Sequence, residues 1–139
     1  MDFLYYWKLF REDTANGPIF KLNQNSPAMH EICVGDDVWA LALTSAGAYD
    51  LVARFTVTET GANPAGSPDD MKYGRAFFRS NASLTNYFGK QRGDAEAVVR
   101  GLSIRAEGTV LGQCFQGNAA VRSLTLDDRK RLIQYIGGL

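Results

Sequence analysis

Val34-Gly35-Asp36-Asp37-Val38-Trp39-Ala40-Leu41-Ala42-Leu43, followed by Ser45-Ala46-Gly47-Ala48 and then Tyr49 to Glu59, is the stretch that decides the fold. Gly35-Asp36-Asp37 is a turn. Val38 to Leu43 is apolar on both sides, which predicts a central strand. Ser45 to Ala48 reads as a hairpin connection. On the return strand, strict alternation puts Tyr49, Leu51, Ala53, Phe55 and Val57 on one face. Asp50, Arg54, Thr56 and Thr58 fall mostly on the other. The whole stretch predicts an antiparallel pair at the centre of a sheet.

Upstream, Phe3 to Phe10 reads as another strand, with Phe3, Tyr5, Trp7 and Leu9 on one face and Leu4, Tyr6, Lys8 and Phe10 on the other. A loop follows through Asn16-Gly17-Pro18, then a short apolar piece, Ile19 to Leu22. Ser26-Pro27 has the form of an N-cap with Pro at the first helical position, so a short helix is expected to about Ile32. Downstream, residues 60–71 are rich in Gly, Pro, Asn and Asp and predict a long mobile loop. Arg75 to Arg79 is a further strand, and Asn86 to Gly89 an aromatic loop element. Asp94 is placed to cap a helix carrying Ala95, Val98, Val99 and Leu102, stopped near Gly101. Gly112 to Gly117 reads as a loop or short helix, and Val121 to Leu124 as a short strand. Thr125 caps a last helix, where Asp127 and Asp128 suit the positive N-terminus. The prediction is one α+β domain over residues 1–139, a small, mostly antiparallel and partly closed β-barrel with short helices.

At 139 residues the chain is long enough to bury a real core. No apolar run approaches the roughly 20 residues of a membrane span. The apolar start, Asp2 to Trp7, lacks a basic leader and a small-residue cleavage site, so it reads as a strand of a cytoplasmic protein. Cys33, Cys114 and His30 are too few and too scattered for a disulfide framework or a structural metal site, and no cofactor is expected. Asp36 and Asp37 are adjacent at a strand start, so their side chains diverge and no catalytic carboxylate pair forms. Gly112 to Gly117 lacks the Lys-Ser/Thr ending of a phosphate loop.

The net charge is zero but unevenly spread. Residues 1–71 carry four basic and ten acidic side chains, whereas residues 72–105 carry seven basic and two acidic ones. That basic middle suits a phosphate-contacting face, or equally a solvated face paired with the acidic half. Lys90 and Arg92, in one loop, and Arg79 are the candidate phosphate contacts.

Asn23-Gln24-Asn25-Ser26 sets four neutral hydrogen-bonding side chains in a row. Such groups read the edge of a planar polar ligand such as a nucleobase, and they also make ordinary polar turns. Trp7 and Trp39 are the first candidates for aromatic walls around such a ligand, with Tyr49 and Phe88 behind them. Core packing is the other role open to each of these rings. Gln113, Gln116 and Arg122 are candidates for a second rim.

The order of aromatic strand with Tyr6-Trp7, polar loop, short helix, and then Val34-Gly35-Asp36-Asp37-Val38 opening a central strand resembles the PUA-like superfamily, and within it the EVE and YTH group. Val121-Arg122-Ser123-Leu124-Thr125-Leu126-Asp127-Asp128 is similar to the closing strand and acid-capped helix of EVE domains. Where EVE domains carry Lys-Ser-Glu-Pro after the first strand, this chain has Lys8-Leu9-Phe10-Arg11-Glu12. The resemblance implies a non-catalytic module that binds a modified base in an aromatic cage, with polar loop groups reading its edge. It implies nucleic acid as the partner, DNA ahead of RNA, and a nuclease domain or subunit to act on it, as in modification-dependent restriction. Methylated or hydroxymethylated cytosine is the expected base. A small enzyme using Cys114 and a protein–protein adaptor are the alternatives.

Overall fold

The computed structural model describes residues 1–89 and 92–137. Among them are eight strands in two sheets, with short helices between, so the chain is α+β. The larger sheet has the order β7-β4-β3-β1-β8, formed by Thr85–Tyr87, Ala48–Thr56, Asp37–Ser45, Asp2–Tyr6 and Val121–Leu124. Its pairs are antiparallel except β1 with β3, which run parallel and place Leu4 beside Trp39 and Tyr5 beside Ala40. A parallel pair needs a crossover. Here the crossover contains helix α1 (Phe10–Asp13), strand β2 (Lys21–Gln24) and the 3-10 turn Pro27–Glu31. β2 belongs to the smaller sheet, order β2-β6-β5, with β6 at Ala76–Arg79 and β5 at Glu59–Ala62. Neither sheet closes on itself.

Three layers result. One face of the larger sheet, with Phe3, Tyr5, Trp7, Val38, Ala40 and Phe55, packs on Leu22 and Phe78 of the smaller sheet. The other face, with Leu4, Trp39, Leu41, Tyr49 and Leu51, packs on α3 (Ala95–Arg100), the 3-10 turn Leu111–Phe115 and α4 (Leu126–Gly137). Both faces of β3 are therefore covered, as its double-sided apolar run predicts. Thr125 caps α4 reciprocally: its Oγ1 accepts from the Asp128 amide at 3.1 Å, while Asp128 Oδ2 accepts from the Thr125 amide at 3.0 Å.

The structure departs from the sequence reading in two caps and four elements. Neither Asp94 nor Ser26 caps the helix it precedes with its side chain: Asp94 accepts from the Tyr135 hydroxyl and Ser26 donates to the Asn118 carbonyl. Strand β1 ends at Tyr6 rather than Phe10. There the chain turns into α1, with Phe10 packed edge-on against Trp7 at 5.1 Å. In β4, Ala40 pairs with Ala53 but Leu41 pairs with Leu51, so Val52 is an extra residue, a β-bulge. The bulge flips the alternation: Tyr49 and Leu51 face the helices, while Ala53, Phe55 and Val57 face the smaller sheet. Residues 60–71, expected as a loop, contain most of β5 and, with Lys72, α2 (Pro68–Lys72). Asn86 and Tyr87 lie on edge strand β7 rather than in a loop. No helix among the described residues is long and apolar enough to cross a membrane.

Candidate functional site

A cleft opens where β1 runs out, between the Trp7–Asp13 segment, β2 and the end of α2. It has two adjoining compartments, of about 400 Å³ and about 140 Å³, with Tyr5, Asp13, Asn23 and Tyr73 lining both. The larger volume is in the range of small-molecule sites. Asp13 is held from two sides. Its Oδ2 accepts from the Trp7 indole N–H at 2.8 Å and its Oδ1 from the Tyr73 hydroxyl at 3.2 Å. A carboxylate has about four acceptor sites, so each oxygen keeps capacity for a ligand N–H.

The opposite wall comes from β2. Leu22 is buried in the core, and alternation sends Lys21 and Asn23 the other way. Asn23 Oδ1 accepts from Asn63 Nδ2 at 2.7 Å, and its backbone carbonyl accepts from the Tyr5 hydroxyl at 2.8 Å. The Asn23 amide NH₂ donates to no described residue. Asn63 is 3% exposed and also donates to the Gly74 carbonyl at 2.8 Å, while its Oδ1 accepts from Lys21 Nζ at 2.9 Å. Lys21 is paired further with Asp69 at 3.0 Å. Gly74 lies against the β2 backbone with φ 144°, and a Cβ there would sit 2.7 Å from the Gln24 carbonyl carbon, so only glycine allows this approach. Burial, and after it the Asp13 charge, hold the Tyr5 hydroxyl far above its ordinary pKa, so it stays a donor. The cleft thus presents a fixed acceptor, Asp13, and a fixed amide donor, Asn23. Lys8 and Lys72 stand exposed at its rim.

Three of the residues singled out in the sequence border this cleft: Trp7, Asn23 and Gln24. Trp7 is not the expected aromatic wall: it is 2% exposed, with Phe10, Phe55 and Tyr87 packed against its ring, and its part here is the indole N–H that holds Asp13. Asn25 and Ser26 do not. Asn25 Oδ1 accepts from the Arg75 amide at 2.7 Å and pins a turn. Ser26 is 1% exposed and donates its hydroxyl to the Asn118 carbonyl at 2.6 Å, tying the turn to the segment before β8. Trp39 and Phe88 lie across the sheet from Trp7. Trp39 is fully buried; its indole donates to Asp2 at 2.8 Å, Phe88 stacks on it at 6.5 Å, and the Arg54 guanidinium sits 4.6 Å over its ring. A cage pairing Trp7 with Trp39 therefore does not form, because neighbouring registers of β1 and β3 point them to opposite faces. Tyr49 is on the helix side as well, at a separate cleft.

Of the expected phosphate contacts, Lys90 lies outside the described residues. Arg79 stands at the Lys21 end of the small sheet, 3.6 Å from Glu59. Arg92 is 3.3 Å from Asp94 and over the Tyr135 ring. Neither lines the cleft. The described residues contain no cluster of His, Cys, Asp or Glu that could hold a metal ion. Cys33 is exposed and Cys114 half-buried, with its thiol directed at the Glu107 carbonyl.

No protein-family model matches the sequence, and no curated protein matches it. Solved structures do share the fold. A hypothetical protein from Leishmania major is similar with a TM-score of 0.57 at 9% identity, over 99% of this chain and 94% of that one. A protein from Pseudomonas putida, solved by X-ray crystallography, is similar with a TM-score of 0.59 at 10% identity, over 98% of this chain and 99% of that one. At such identities the likeness is one of fold, extending over the whole of a small domain.

Proposed function

We propose that the chain is a non-catalytic recognition module that takes a modified nucleobase, in DNA ahead of RNA, into the cleft between Trp7, Asp13, Asn23 and Tyr73. The observation that carries this reading is that a side-chain amide whose NH₂ bonds no described residue, Asn23, lines the same cleft as a carboxylate acceptor, Asp13, with the part-exposed Tyr73 ring beside them. Cytosine presents an amino donor next to ring and carbonyl acceptors, the complement of that pair; carboxylates accept from the cytosine amino group elsewhere in DNA recognition. Extruding a base costs a few kcal/mol, recovered by stacking and edge hydrogen bonds in the pocket. The resemblance to EVE and YTH domains, and with it a PUA-like, partly closed barrel, is consistent with the two packed sheets and belongs to the same proposal. So does a nuclease domain or subunit as the partner that acts on the bound DNA.

The test is fluorescence-polarisation binding at low salt. Short duplexes and single strands would carry cytosine, methylcytosine, hydroxymethylcytosine, adenine or methyladenine. Preference for a modified cytosine, weakened at least tenfold in Asn23→Ala and in Asp13→Asn, is the expected result; a lost charged or bidentate contact is worth about 1–3 kcal/mol. Preference for methyladenine would keep the module and change its base. Equal or absent binding throughout would overturn the reading.

A further inference from the structure

Beyond Gln24 and Lys8 lies a second cleft, of about 450 Å³, on the helix side of the sheet. Tyr6, Lys8 and Gln24 border both this cleft and the smaller compartment of the first. Successive residues point to opposite faces, so Trp7 borders only the first cleft, while the Tyr6 ring reaches the second. Tyr6 stacks on Phe115 with ring centres 5.4 Å apart and planes 18° apart, and Tyr49 stands beside it at 6.5 Å. Gln113 and Gln116 are exposed at the far rim, and their side-chain amides bond no described residue. Leu43 and Val110, at 40% and 46% exposure, add apolar surface there. Lys8 pairs with no described carboxylate.

We propose that this second cleft holds the nucleotide adjacent to the modified one on the same DNA strand, with the bridging phosphate at Lys8. The protein then grips a splayed dinucleotide step: the modified base on the Trp7 side and its neighbour on the Tyr6 side. The inference rests on the base-binding reading of the first cleft. Tyr6, part-exposed and backed by the buried Phe115 and Tyr49, is the ring that reaches this cleft, and an aromatic ring stacks on any base. Free amides such as those of Gln113 and Gln116 add modest preference among bases. Among the described residues Lys8 is the cation that borders both the smaller compartment and the second cleft, Lys72 bordering only the former, which suits one bridging phosphate rather than a duplex backbone. Gly112 keeps the second cleft open. Its amide donates to the Tyr49 hydroxyl at 2.9 Å, and a Cβ there would lie 2.8 Å from the Tyr6 hydroxyl and 3.2 Å from that of Tyr49.

The experiment uses a six-nucleotide single strand with one central 5-methylcytosine, and two relatives in which the 5′ or the 3′ neighbour is abasic. One of the two abasic strands is expected to bind wild-type protein about tenfold or more weakly, the loss of one stacked base. Gly112→Ala should weaken the intact strand by a similar factor and leave that abasic strand unchanged. Gln113→Ala combined with Gln116→Ala, which removes exposed groups and touches no packing, should narrow the difference between the two strands. Tight binding that ignores both neighbours, or a Gly112→Ala protein that still discriminates between them, overturns the two-nucleotide step and leaves the base reading standing. Failure of every methylated strand to bind overturns both.

Discussion

Asn63→Ala is the substitution that most directly strikes the wall of the cleft. Asn63 is 3% exposed and its side chain makes three bonds to two segments: Nδ2 donates to Asn23 on β2 and to the Gly74 carbonyl, and Oδ1 accepts from Lys21 on β2. Each neutral bond contributes about 1 kcal/mol net, and an acceptor left buried without a donor costs about 1–3 kcal/mol. The Gly74 carbonyl is so exposed to loss. Lys21 retains Asp69, so its share is discounted. The sum is about 3 kcal/mol, a large fraction of the 5–15 kcal/mol typical of a domain. For a chain of this length that corresponds to a melting-temperature drop of about 10 °C. Urea unfolding and thermal circular dichroism measure both quantities. A double-mutant cycle with Asn23→Ala should return a coupling of about 1 kcal/mol. A loss below about 1 kcal/mol, or no coupling, would refute the argument that Asn63 fixes the cleft wall.

Two further outcomes are expected. Burial alone would raise the Asp37 carboxyl. Hydrogen bonds from Arg54 at 2.8 Å and Thr56 at 2.7 Å, with the charges of Arg54 and Arg129, outweigh it and hold the group below the usual aspartate range. A depressed folded pKa adds stability above the unfolded value of about 3.9, and that stability is lost as pH falls further. The urea midpoint should therefore drop below about pH 4, and Asp37→Asn should flatten that drop while lowering the midpoint at neutral pH. Lys8→Ala should weaken DNA binding across all sequences and reduce the slope of log affinity against log salt by about one; an unchanged slope would remove Lys8 from the phosphate path.

The hairpin of β3 and β4 was legible because an apolar run, a Gly-bearing turn and a second alternating run agree with one another. Gly47 indeed turns the chain with φ 72°. The bulge at Val52 was not legible, since one inserted residue leaves no mark in composition and yet reverses every later side chain. The missed helix α2 carried its own signal. Ser67-Pro68-Asp69-Asp70 repeats the logic of Ser26-Pro27, and the Ser67 hydroxyl accepts from the Asp70 amide at 3.3 Å. Gly and Pro richness around it masked that cap. At the site, Asn23 and Gln24 stood out because polar side chains cluster there in sequence. Tyr73, Asn63 and Asp13 did not, because they reach the cleft through contacts 40 to 60 residues apart. Trp7 and Trp39 look equivalent as letters, and only the β1–β3 register separates them.

That separation offers the most direct measurement. Both indole N–H groups are hydrogen-bonded to a carboxylate, Trp7 to Asp13 in the cleft and Trp39 to Asp2 on the far side of the sheet. A ¹H–¹⁵N titration with 5-methyldeoxycytidine monophosphate reads the two separately. The Trp7 indole and the side-chain amides of Asn23 and Asn63 are expected to shift together, with the Trp39 indole unmoved. Shifts confined to Trp39, or none at saturating nucleotide, would contradict the assignment of the base to this cleft.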